Sequence, residues 1–181
     1  MTSIATAEAP AAATIRVWDP VVRIGHWTLA LGFVVAFLAE EGDLVHQVAG
    51  YVAAGAVAVR LVWGFIGPEH ARFANFVPTP RRLLGHLADL LRGRDRRHIG
   101  HNPAAGAMAL TLLLMVLFLG ATGFMLTTDR FYGTAWLETL HEGGAYLALG
   151  LVCAHVAAAL YESVRHRENL PWAMVTGRKR A

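Results

Sequence analysis

The sequence predicts an all-α integral membrane protein, a four-helix bundle with both termini cytoplasmic and an amphipathic interfacial helix between spans two and three. Three observations carry this. Hydrophobic residues make up 55% of the 181, and the mean hydropathy of +0.43 exceeds that of an ordinary soluble domain. Four apolar runs, Pro20 to Glu40, Leu44 to Ile66, Pro103 to Leu126 and Leu137 to Val164, reach the roughly 20 residues that cross about 30 Å of hydrocarbon as helix. Finally, threading the chain through those spans leaves fifteen of its sixteen Lys and Arg residues on one side.

The elements follow in chain order. Residues 1–15 are rich in Ala and Thr and have no basic region ahead of an apolar core, so they read as a flexible tail rather than a cleavable signal. Residues 16–176 form the membrane domain, and 177–181 a basic C-terminal tail. Asp19-Pro20, Thr79-Pro80 and Asn102-Pro103 each set a capping side chain before a proline suited to the first helical position. Gly67-Pro68 ends the second span. Pro80 to Arg92 has Leu83, Leu84, Leu87 and Leu91 on one face, with Arg81, Arg82, His86 and Asp89 elsewhere, which suits a helix lying in the membrane interface.

Charge sets the orientation. Arg16, Arg23, the cluster from Arg60 to Arg97 and the group from Arg165 to Arg180 share the side of the termini, and Arg130 alone lies opposite. Short basic loops stay cytoplasmic, so both termini do too. The other face carries Glu40, Glu41, Asp43, Asp129, Glu138 and Glu142. Because the arginines flank membrane spans, topology accounts for them without a nucleic-acid partner. The single cysteine, Cys153, excludes an internal disulfide and cysteine-based zinc or iron–sulfur sites, and there is no C-x-x-C-H for covalent haem attachment.

Four histidines lie inside the apolar runs: His26, His46, His141 and His155. The last two are fourteen residues apart, roughly 21 Å along one helix and on nearly the same face. Span one enters from the cytoplasmic side and places His26 at the inner level, whereas span two returns and places His46 at the outer level. His26 therefore pairs with His155, and His46 with His141. Two imidazoles filling both axial positions of an iron porphyrin suit electron transfer, because no position stays open for oxygen chemistry. Small residues one turn after each histidine, Ala30, Gly50, Ala145 and Ala159, fit beside a bulky macrocycle, although such residues also serve close helix packing. A lone membrane histidine is commonly a hydrogen-bonded core residue; four matched in depth point to function.

Arg60 lies fourteen residues after His46, on the same face but at the inner depth, and Arg23 three residues before His26. Each can pair with a propionate of the inner haem or extend into the headgroups. His70, His86, His98, His101 and His166 lie in or beside polar segments and read as solvated or capping residues.

The stretches V-W-D-P-V-V-R-I-G-H-W from Val17, L-V-H-Q-V-A-G-Y with the following R-L-V-W-G, H-N-P from His101, and the closing L-H-E to A-H-V-A-A-A-L resemble the bacterial cytochrome b561 family. That family includes the b-type cytochrome subunits of nickel–iron hydrogenases. The resemblance implies that His26, His46, His141 and His155 are axial ligands of two non-covalent b haems. It also implies electron transfer between a quinone and a partner such as a c-type cytochrome or dehydrogenase subunit, in the bacterial cytoplasmic membrane. A quinone site near the inner haem, within reach of Arg23, Arg60 and His101, is a further expectation, and homodimerisation stays open. Relative to the hydrogenase subunits the chain is short, and its outer connection, Thr127 to Trp136, is small. Two other readings compete: quinone-linked oxidation of a small species such as superoxide, and a non-redox metal transporter or anchor subunit. Transport calls for intramembrane carboxylates or broken helices, and the spans offer few candidates, with Glu142 and Glu162 close to helix ends.

Overall fold

A computed structural model describes residues 13–94 and 96–181. Four long helices, α1 (Pro20–Leu38), α2 (Leu44–Ile66), α5 (Pro103–Leu126) and α6 (Ala135–Arg165), are long and apolar enough to cross a membrane. Shorter helices α3 (Phe73–Phe76), α4 (Pro80–Leu91) and α7 (Leu170–Thr176) gather at one end, with strands β1 (Thr14–Arg16) and β2 (Arg178–Arg180). This end is called proximal; the distal end carries the α1–α2 and α5–α6 connections. The second and third spans have the boundaries expected from sequence, the first stops at Leu38 rather than Glu40, and the fourth runs from Ala135 to Arg165.

Capping explains the sharp starts. Asp19 accepts from the Val21 and Val22 amides at 2.9 and 3.2 Å, and Asn102 from the Ala105 amide at 2.7 Å, each ahead of a proline whose missing N–H costs nothing there. Asp19 also accepts from the Trp63 indole at 3.1 Å, tying the foot of α1 to α2. The first two spans cross closely through small residues: a Cβ on Gly32 would meet the Ala49 carbonyl at 3.0 Å. Thus α1 packs along α2, α5 along α6, and α2 against α5. No comparably close backbone packing joins α6 to α1 or α2 among the described residues. Their facing sides bound a cleft, and along α6 only Leu137 and Ala148 are fully buried.

The proximal end corrects two boundaries. Thr14 and Ile15, assigned above to a flexible tail, pair antiparallel with Arg180 and Lys179, so residues 178–180 are strand rather than loose tail. The remainder of the expected tail, residues 1–12, lies outside the described residues. Gly177 makes the turn into β2 at φ +79°, and a Cβ there would lie 2.5 Å from the Trp18 carbonyl, so glycine is required on both counts. Lys179 is 5% exposed; it donates to the His98 carbonyl at 2.9 Å and lies 3.6 Å from Glu168. Glu168 also accepts from Arg97 at 3.1 Å and from the Arg180 amide at 2.8 Å. Burial alone would raise Glu168, but the Arg97 hydrogen bond, the Arg180 amide and the Lys179 charge hold it below the usual carboxylate range. Burial likewise lowers Lys179, with Glu168 opposing.

Helix α4 forms where its leucine pattern places it, yet Leu84, Leu87 and Leu91 stay exposed while His86 turns inward. The leucine face is thus turned outward, away from the bundle.

Candidate functional site

The site is built on α6, whose two histidines share a face, with one partner each from α1 and α2. At the distal end the His46 and His141 ring centroids are 6.0 Å apart, with the ring planes at 66°. At the proximal end His26 and His155 are 6.4 Å apart at 51°. Both spacings lie within the range of edge-to-face ring contacts and are longer than the roughly 5 Å of a directly hydrogen-bonded imidazole pair. Open space lies alongside: a Cβ on Gly50, one turn past His46, meets no atom within 4 Å.

The distal rings are oriented by their other nitrogens. His46 Nδ1 lies 2.9 Å from the carbonyl of Ala36, in the last turn of α1, where carbonyls lack intrahelical partners. A carbonyl only accepts, so Nδ1 carries the proton and Nε2 keeps its lone pair. His141 Nδ1 lies 2.8 Å from Thr122 Oγ1 on α5. Beside Thr122, Gly123 leaves space for the ring, since a Cβ there would come within 3.2 Å of His141 Cε1. The proximal pair differs, because His26 Nδ1 is buried without a hydrogen-bond partner.

The predicted arginines lie at the proximal end. Arg60 donates to the Ala71 carbonyl at 2.9 Å, with its guanidinium carbon 5.0 and 5.4 Å from the Phe73 and Phe76 ring centroids, and its Nη1 is buried without a partner. Arg23 turns towards α7, donating to the Val175 carbonyl, and its Nε is likewise buried and unpaired.

Sequence reasoning placed His101 and His86 among solvated or capping residues, and the structure corrects both. His101 packs between Trp18 and Phe76, with centroids at 4.7 and 4.5 Å, because the Asn102 cap fixes the residue before it against the proximal core. Burial, then the Arg60 and Lys179 charges, push its pKa down to about 3, so it is neutral at physiological pH. His86 is buried against His98, centroids 5.7 Å apart. His166 faces Glu162 at 3.2 Å. Sequence reasoning also missed Thr122; its signal was one of two hydroxyls, with Thr111, inside an apolar span.

The chain is similar in sequence to curated proteins along most of their length. The chain is 25% identical to a probable Ni/Fe-hydrogenase B-type cytochrome subunit of Bradyrhizobium diazoefficiens, covering 92% of this chain and 86% of the relative. Identities are 27% to the Cupriavidus necator protein of that name (89% and 85% covered) and 26% to the probable Ni/Fe-hydrogenase 1 B-type cytochrome subunit of Escherichia coli K12 (89% and 88%). No solved structure matches significantly. The family profile of prokaryotic cytochrome b561 matches residues 17–177, which include all nine histidines together with Arg23 and Arg60. The chain therefore belongs to the prokaryotic cytochrome b561 family and is a multi-pass bacterial membrane protein of electron transfer that uses haem b.

Proposed function

We propose that the chain carries two b haems, one between His46 and His141 and one between His26 and His155, and passes electrons between a quinone pool and a redox partner. The observation behind this reading is the twofold occurrence of facing imidazoles at 6.0 and 6.4 Å. Two metal–nitrogen bonds of about 2 Å, each continued by a ring radius, bring centroids to roughly 6 Å. The residues present thus fit a bis-imidazole iron at both ends. Bound there, haem supplies reversible one-electron storage. The protein orients four imidazoles, shields the cleft with apolar helices, and sets the local charge. Arg60 and Arg23 give the proximal end unpaired buried donors suited to propionates.

The arginine distribution supports a cytoplasmic proximal end in the inner membrane, with the leucine face of α4 in the interface. We assign the quinone to an open surface groove of about 380 Å³ at this end, lined by Arg23, Ile24, Trp27, Thr28, Leu31 and Val175. Trp27 lies against His26, centroids 5.1 Å apart. Because the relatives are named as hydrogenase cytochrome subunits, the partner is a hydrogenase or similar dehydrogenase docked at the distal end.

The test is a reduced-minus-oxidised spectrum with a haem-to-protein ratio on purified material. Two b haems per chain, reducible by a quinol analogue, are expected. A ratio of one or less after haem-replete expression overturns the two-site reading.

A further inference from the structure

Thr122 is 5% exposed in the last turns of α5, where an unpaired hydroxyl would be costly, and three acceptors or donors surround it. Its Oγ1 lies 2.9 and 3.2 Å from the Phe118 and Leu119 carbonyls one turn back, and 2.8 Å from His141 Nδ1. A hydroxyl has one proton and two lone pairs. Both carbonyls only accept, so they take the hydroxyl proton, and the oxygen is left to accept from His141 Nδ1–H. Were the hydroxyl instead to donate to Nδ1, the imidazole proton would sit on Nε2 and block it as a ligand. The first arrangement gives the hydroxyl proton, an oxygen lone pair and Nδ1–H a partner each and keeps the Nε2 lone pair available to a metal.

Resting on the two-haem reading above, we infer that Thr122 is a positioning residue for the distal haem: its hydroxyl fixes the His141 tautomer and lowers that haem's midpoint potential. The sign follows from electron donation. An Nδ1–H held by an acceptor makes the imidazole more basic, and a more basic ligand favours the oxidised iron. The Ala36 carbonyl acts in the same direction on His46, whereas the proximal His26 has no such acceptor. The distal site is therefore doubly tuned downwards, and Thr122 is the half of that tuning a side-chain substitution can remove.

The test compares Thr122→Val, which keeps volume and branching but loses the hydroxyl, with Thr122→Ser, which keeps the hydroxyl. Midpoints of both haems are read by redox titration of the purified holoprotein, the distal component being the one lost in His141→Ala. Thr122→Val is expected to raise only the distal midpoint, by up to tenfold in the reduced-to-oxidised ratio, about 59 mV for one electron. Thr122→Ser is expected to match wild type. Loss of the distal haem in the valine variant, with retention in the serine variant, gives the same support. Two bound haems with unchanged midpoints in Thr122→Val, or a serine variant behaving like the valine one, overturns the role of the hydroxyl. A wild-type protein without two b haems overturns the underlying reading instead, before any variant is made.

Discussion

Arg60 donates from Nη2 to the carbonyl of Ala71 at 2.9 Å, which pins its guanidinium beneath α2 and leaves Nη1 buried and unpaired. The aromatic rings of Phe73 and Phe76 hold the same group from the side. A fixed, half-buried positive charge at the same end as the proposed proximal haem would stabilise the reduced form of that haem. Replacing Arg60 by Leu is expected to lower the midpoint of the haem held by His26 and His155, by about tenfold in the reduced-to-oxidised ratio, or roughly 59 mV. The other haem, at the far end of the bundle, should not move. Redox titration resolves the two, and an equal shift in both would contradict this placement of the charge.

The ligand pairing makes a stricter demand. His46→Ala and His141→Ala should remove the same haem, and His26→Ala and His155→Ala the other, each variant retaining about half the b-type absorbance. Haem stoichiometry with difference spectra measures this. If His46→Ala and His155→Ala proved to be the matched pair, the proposed assignment of ligands would be wrong.

Glu168 collects Arg97, Lys179 and the Arg180 amide at one buried carboxylate. Removing its charge strands a buried ammonium, so Glu168→Gln is expected to cost about 3 kcal/mol. Lys179→Met leaves Glu168 with Arg97 and should cost clearly less. Thermal unfolding in detergent orders the two. Because the Glu168 pKa is depressed, its contribution is present above the unfolded carboxylate pKa and is lost as pH falls through the folded one, so the Glu168→Gln penalty should shrink in acid.

His101 provides a pH dependence in a different window. Its pKa falls from 6.5 to about 3 on folding, so below pH 6.5 the unfolded chain takes up a proton that the folded chain refuses. Stability is then fully present above pH 6.5 and declines by up to about 1.4 kcal/mol per pH unit as pH drops towards 3. Between pH 6.5 and 5, His101→Gln should flatten this decline in a thermal-shift series. An unchanged slope would mean that another group carries it.

The spans and their starts were legible because two local signals coincide: an apolar run long enough for the bilayer, and a capping side chain before proline, as at Asp19-Pro20 and Asn102-Pro103. The histidine pairing was legible because fourteen residues return a helix to the same face at a known depth. The β1–β2 ribbon was not, since three-residue strands have no periodicity to read and pair across 162 to 166 residues of chain. The burial of His101 depends on Trp18 and Phe76 arriving from two distant segments, and Lys179 is buried only because Glu168 waits for it. Arg23 turned to Val175 for a related reason, as α7 is too short to announce where it docks.

The ribbon at the proximal end has a mechanical consequence. Strand β1 leads directly into α1, and β2 follows α6 through α7, so the two strands join the feet of the helices that bear His26 and His155. Those helices lack the tight crossing that fixes α1 on α2. The ribbon therefore works as a caliper, setting the width of the jaws from outside the membrane. Loosening a few backbone hydrogen bonds there would change the gap between two imidazoles, about two turns up α1 and three turns up α6, without touching either one.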